Sequence, residues 1–197
     1  MDIRSFGPDH VLVEVEDSRH SLAVYEEARR RRVEAASIVP AAATVLFEGV
    51  ADVEALVRSL PGWEVDRADV AGETVEVPTT YDGEDLDGVA HLWGMTRDEV
   101  VRTHTSTEFV VAFCGFAPGF AYCTGLPDDL AVPRLETPRT RVPAGSVGLA
   151  GSYTGVYPTA SPGGWRLIGR TDLVLWDVER DPPATLVPGT QVRFTAA

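Results

Sequence analysis

Apolar and polar positions alternate over residues 11 to 15, VLVEV, which predicts a half-buried strand. The period then lengthens: Leu22, Tyr25, Ala28 and Val33 recur at near-helical spacing across about 20 to 34. ATVLFE at 43 to 48 predicts a second strand and 52 to 60 a second helix, a small α+β unit in βαβα order. Leu60-Pro61-Gly62 stops that helix, and the polar stretch to Gly72 is where an inter-domain link is expected. A second region opens with the strand TVEVPTTYD. Helices are expected over 84 to 92 and 96 to 104, the latter opened by Thr96 and Glu99 in the T-x-x-E capping pattern. From EFVVAFCGF onward only short strand-like runs follow (VGLAG, WRLIG, LVLWDV, QVRFT), separated by turns. The expected fold class is α+β: an α+β domain over 1–72, then a compact barrel or sandwich over 73–197.

Residues 113 to 171 are dense in Gly and Pro, yet Phe116, Phe120, Tyr122, Leu126, Leu149, Tyr157, Trp165 and Leu167 recur through them. Disordered segments are poor in aromatics, so this stretch reads as a rigid, sculpted surface in which Gly permits close approach and Pro fixes φ.

Composition narrows the chemistry. A formal charge of −13 argues against nucleic-acid and anionic-membrane partners, which need basic patches. All 17 basic residues are Arg. Without Lys the chain has no Walker A loop, no Schiff-base amine and no biotinylation site. The Arg29 to Arg32 cluster follows Glu26 and Glu27, so helical pairs of Glu26 with Arg30 and Glu27 with Arg31 are expected. Cys114 and Cys123 fit neither redox nor zinc spacing and read as packed thiols; four dispersed histidines offer little for a metal. No apolar run is long enough to span a bilayer and the N-terminus lacks a signal-peptide layout, so a cytoplasmic location is expected.

Candidate chemistry lies in a few residues. His104, where a polar helix end meets the strand leading into GFAPGF, suits proton transfer or carbonyl orientation; the alternative is a capping or surface histidine. Arg139 and Arg141 precede Gly145-Ser146, and a guanidinium beside a turn with free backbone N–H groups would receive a carboxylate or phosphate; a structural Arg tied to loop carbonyls is the other choice. Arg166 and Arg170 share one face of a strand and invite the same choice. Gly145, Gly148 and Gly151 have the wrong spacing and context for a dinucleotide fingerprint. Tyr157 and Trp165 suit either a stacking platform or a core.

GFAPGFAYCTGLPDDLAVPRLETPRTRVPAGSVGLAG, followed by TGVYPTASPGGWRLIGRT, resembles the allophanate hydrolase subunit 1 family, which includes the B-type subunit of 5-oxoprolinase and KipI-like kinase inhibitors. The resemblance implies a small N-terminal α+β domain followed by a cyclophilin-like β-barrel. It further implies a subunit, inactive alone, of an ATP-dependent amidohydrolase complex that opens 5-oxoproline to glutamate. The implied partners are a second cyclophilin-like subunit, a LamB/YcsF-type subunit and a small-amide substrate, and ATP is used by the complex at a site on or shared with the other subunits. Alternatives within the family are a histidine-kinase inhibitor and a urea-carboxylase-type carboxyltransferase component. Carried onto this sequence, the motif positions are His104, Arg139 and Tyr122 as catalytic candidates, with Gly145, Ser146, Tyr153, Tyr157 and Arg170 as substrate-binding candidates. Tyr153 stands where family members usually carry the Gln of GGQTG, an exchange that removes an amide able to donate and accept.

Overall fold

The computed structural model describes residues 1–65 and 72–197, so the expected link up to Gly72 lies partly outside the described residues. The chain divides into two compact units, residues 1–71 and 72–197.

The first unit is a four-stranded antiparallel sheet with two helices. Its elements are β1 (Asp2–Phe6), β2 (His10–Glu14), α1 (Ser18–Arg30), β3 (Ser37–Pro40), β4 (Thr44–Glu48) and α2 (Val53–Ser59), in sheet order β1-β2-β4-β3. The expected pairs β2 with α1 and β4 with α2 are present; the edge strands β1 and β3 escaped the pattern. β1 reads DIRSF with almost every residue exposed, and β3 is four residues ending in Pro, so neither shows alternation. Val11, Val13, Val45 and Phe47 point from the inner strands onto Val24 and Ala28 of α1 and Leu56 of α2, which forms the unit's core. Glu27 binds Arg30 and Arg31, whereas Glu26 meets Arg29 at 3.6 Å, three residues away instead of the expected four.

The second unit is a nearly closed barrel. β5 (Thr74–Thr79), α3 (Leu86–Trp93) and α4 (Arg97–Ser106) come first, α4 opened by the expected capping box of Thr96 and Glu99. Then follow β6 (Phe109–Cys114), β7 (Ala121–Thr124), β8 (Arg139–Val142), β9 (Ser146–Ala150), β10 (Tyr153–Val156), β11 (Ser161–Gly163), β12 (Arg166–Arg170) and β13 (Gln191–Ala196). Seven of these form one sheet in the order β12-β9-β10-β7-β6-β13-β5, with β13 and β5 parallel, while β8 and β11 make a separate ribbon. Thr80, just beyond β5, exchanges two 2.9 Å backbone hydrogen bonds with Arg170 at the end of β12, which joins the outermost strands across the seam.

Two bulges decide which side chains face out. Ala112 is the extra residue where β6 pairs β7, and Ile168 where β12 pairs β9. Without the first, Phe113 would follow Val111 into the interior; with it, Phe113 stacks on Tyr122 outside. The second sends Ile168 inward beside Val147 and Leu149 while Leu167 stays outside. Leu86, Val89, Ala90 and Val100 of α3 and α4 join the interior cluster. LVLWDV, expected as a strand, forms only a single bridge, Trp176 with Ala184, because its partner run carries Pro182 and Pro183, which have no N–H to donate.

Candidate functional site

Residues 81 to 85, Tyr-Asp-Gly-Glu-Asp, run beside β12 and bind three of the predicted site residues. The Gly83 N–H donates to the Ile168 carbonyl at 3.2 Å and the Asp85 N–H to that of Leu167 at 2.9 Å. A Cβ on Gly83 would lie 2.3 Å from the Leu167 carbonyl oxygen, so only glycine permits this approach. From this segment Tyr81 reaches His104, Asp82 meets Arg170, and Glu84 and Asp85 take Arg139. The same commitment explains why α3 begins at Leu86 and not at residue 84: Asp85 is bonded to β12 through both backbone and side chain.

His104 is neither a surface nor a capping residue, the alternative its sequence context allowed; it is fully buried inside the barrel between Phe109 and Phe194, ring centroids at 5.1 and 4.4 Å. Its Nδ1 lies 2.7 Å from the Tyr81 hydroxyl and its Nε2 2.9 Å from Thr154 Oγ1. Thr154 in turn donates to the Gly148 carbonyl at 3.3 Å. One arrangement gives every proton an acceptor: Tyr81 O–H to Nδ1, Nε2–H to Thr154, Thr154 O–H to Gly148. The histidine is therefore neutral, and burial pushes its pKa down to about 3 while raising that of Tyr81.

Arg139 is one-fifth exposed, and its guanidinium is divided among three partners. Nη2 donates to Asp85 at 2.8 Å, Nε faces Glu84 at 3.0 Å and Nη1 donates to the Trp165 carbonyl at 3.3 Å. The Asp85 oxygen that takes Nη2 also accepts the Leu167 N–H at 2.7 Å. Of the two sequence readings, the geometry matches the structural one, with two carboxylates added to the expected carbonyl. Arg170 is paired with Asp82 at 2.9 Å but remains mostly exposed, and it lines a cavity of about 210 Å³ with Thr80, Thr171 and Asp172.

Tyr122, Tyr153 and Tyr157 do come together, on the outer face of the barrel. Tyr122 stacks on Phe113 at 4.4 Å, Tyr153 meets both rings edge-on, and Phe120 and Trp165 link Tyr122 to Tyr157. Gly148 and Gly155, paired across β9 and β10, give the Trp165 side chain a flat floor; Cβ atoms there would approach it to 3.2 Å. Burial raises the Tyr122 and Tyr157 hydroxyls above their ordinary pKa, and the exposed Arg134 opposes this in both. Tyr153 packs as an aromatic in this face, a role an amide would fill differently.

The Gly145-Ser146 turn is not the open anion receptor that the sequence suggested. Gly145, at φ +78°, donates its N–H to the Tyr157 carbonyl at 2.7 Å, and Ser146 donates to that of Pro143 at 3.3 Å. Both N–H groups are thus used within the chain. Cys114 and Cys123 are free thiols, and burial pushes the Cys114 thiol up to about 11.

Sequence reasoning missed the acidic segment itself and Phe116. The clue to the first was present: an Arg-only chain with excess acid concentrates Asp82, Glu84 and Asp85 beside β12. Phe116 is 61% exposed and sits at φ 69°, inside a turn closed by the Ala117 N–H on the Gly115 carbonyl at 2.8 Å. This is the rare positive-φ γ-turn, and a bulky residue held there costs about 1–3 kcal/mol.

A seven-stranded barrel with helices packed into its core and an aromatic outer face built from the Gly/Pro-rich motifs is the architecture of a carboxyltransferase-type domain. The chain belongs to the family described as "Carboxyltransferase domain, subdomain C and D", which it matches over residues 1–186. It is 47% identical over 146 residues to the B-type subunit of 5-oxoprolinase from Escherichia coli O157:H7, covering 72% of this chain and 67% of that one. The alignments span about two thirds of the length of the curated relatives. Among solved structures, TTHA0988 superposes with a TM-score of 0.81 at 33% identity over 96% of this chain, but over only 40% of its own length. A conserved uncharacterized protein of Pyrococcus horikoshii, PH0987, matches at TM-score 0.61 and 32% identity over 100% of this chain and 97% of its own. The family resemblance and the α+β fold class expected from the motifs are both borne out. No helix among the described residues is long and apolar enough to cross a membrane, and none of their His, Cys, Asp and Glu side chains cluster to hold a metal.

Proposed function

We propose that this chain is the B-type subunit of a 5-oxoprolinase complex, which converts 5-oxoproline to glutamate at the expense of ATP together with a second cyclophilin-like subunit and a LamB/YcsF-type subunit. The observation that carries the reading is the 47% identity to the B-type subunit of the Escherichia coli 5-oxoprolinase over 146 residues. The geometry supports a chain that does not act alone. Its histidine candidate is sealed in the core, and its Arg139 is consumed by Asp85, Glu84 and Trp165. Of the predicted site residues, Tyr157 is buried, while Arg170 and the half-buried Tyr122 and Tyr153 reach open space and suit substrate contact more than bond breaking. Since the chain has no Lys, nucleotide phosphates would be met by Arg, by backbone N–H groups or by the other subunits.

A carboxyltransferase component acting on another small amide is the second reading, favoured by the family description. The test is ATP-dependent glutamate release from 5-oxoproline by this chain mixed with its companion subunits, each omitted in turn. Loss of activity when this chain is left out is the expected result. Unchanged activity without it, or activity of the reconstituted set only on a different small amide, would remove the 5-oxoprolinase assignment.

A further inference from the structure

Next to the aromatic face lies an exposed apolar surface that the site chemistry leaves unused. Residues 173 to 178 form no regular element beyond the Trp176 bridge and enter a turn at Val178, with Leu175 buried while Val174, Trp176 and Val178 are 59%, 37% and 73% exposed. On its inner side the run is held by the Thr185 N–H on the Leu175 carbonyl and by the Asp177 N–H on that of Pro183, both at 3.0 Å. The β6–β7 loop packs directly against it: Gly119, at φ +81°, sits so close that a Cβ there would lie 2.8 Å from Trp176 Cβ. The same loop carries Phe116, whose positive-φ backbone holds its ring out toward solvent. An exposed aromatic in a strained turn, on a loop packed against a run that bears three exposed apolar side chains, is the composition of an interface centre. The rim is acidic, with Asp172, Asp177, Glu179 and Asp181 along the run and Arg180 alone in opposition.

We infer that Phe116 and the run Val174–Val178 form the docking surface for a companion chain carrying the remaining subdomains of the carboxyltransferase domain, which meets it with an apolar socket rimmed by basic side chains. The inference rests on the carboxyltransferase-subunit reading above. Two observations select this occupant. The family describes only part of a domain, subdomains C and D. The same fold also exists both as a nearly whole chain, in the Pyrococcus horikoshii protein, and as 40% of a longer one, in TTHA0988. A unit found separate in one protein and continuous with further chain in another has a surface fitted to that further chain. The acidic rim sets the complementary charge.

The experiment titrates the full-length chain with the purified companion chain of the same organism, by calorimetry, at low and high salt. Phe116→Asn keeps a residue that tolerates positive φ, and Val178→Ser changes a side chain three-quarters exposed, so melting temperatures should stay near that of the parent. Each is expected to weaken binding at least tenfold, high salt is expected to weaken the parent complex, and Leu92→Ser, an exposed apolar position on α3, is expected to bind as the parent does. Variants that bind like the parent would overturn the surface while leaving the subunit reading intact. Failure of the parent chain to bind its companion would overturn both. If the two variants instead abolish self-association of the chain alone, the surface belongs to a homodimer and the inference fails.

Discussion

Replacing His104 by Gln should change how stability depends on pH, and the structure fixes the sign. In the folded barrel the imidazole is neutral, donating to Thr154 and accepting from Tyr81, and burial lowers its pKa from 6.5 to about 3. The unfolded chain therefore takes up a proton below pH 6.5 that the folded chain refuses until near pH 3, so stability is full above 6.5 and declines as pH falls. Each pH unit in that window is worth about 1.4 kcal/mol, so at pH 5 the parent has lost about 2 kcal/mol from this group alone. Gln can still accept from Tyr81 and donate to Thr154 but fills less of the space between Phe109 and Phe194, a loss of about 2 kcal/mol at pH 7.5. Gln does not titrate. The gap between parent and variant, measured by urea unfolding, should therefore shrink from about 2 kcal/mol at pH 7.5 toward zero at pH 5, while the titration of all carboxylates cancels in the difference. A gap that stays constant across that range would show that His104 exchanges its proton freely in the folded state. That result would refute the sealed relay and restore His104 as a proton carrier.

Asp85→Ala should cost about 2–3 kcal/mol in urea unfolding, because it leaves Arg139 without its closest carboxylate and the Leu167 N–H without an acceptor; a change under about 0.5 kcal/mol would make the pair surface decoration. Arg32→Gly should stabilise the first unit by about 1 kcal/mol. Arg32 occupies φ 53° just past α1, where the Val33 N–H bonds back to the Ala28 carbonyl, the position that Gly fills most readily; a lower melting temperature would refute this.

What the sequence showed and what it hid divide along physical lines. Elements whose periodicity is uninterrupted were legible: β2, α1, β4, and α4 with its capping box. The motif stretch was recognisable as a shaped surface, yet the strands β7, β8, β10 and β11 inside it were not. Their signal is broken by the very glycines and bulges that aim Phe113 and Tyr122 outward and leave room for Trp165. A bulge moves every later residue to the opposite face, so alternation counted across Ala112 or Ile168 places side chains on the wrong side.

The candidate site was legible by residue type and not by environment. His104, Arg139 and Arg170 were identified by residue type, but type does not reveal that one five-residue segment at the barrel seam supplies a partner to each. Those partners are 23, 54 and 88 residues away in sequence. Only barrel closure brings them near, so the same contacts that neutralise the candidates also hold β12 to the start of α3. On the 5-oxoprolinase reading proposed above, a chain that ties its histidine and its best-placed arginine into closing its own barrel would offer substrate contact beside Arg170 and a partner-binding edge, and the bond-breaking groups would come from the chains that dock there.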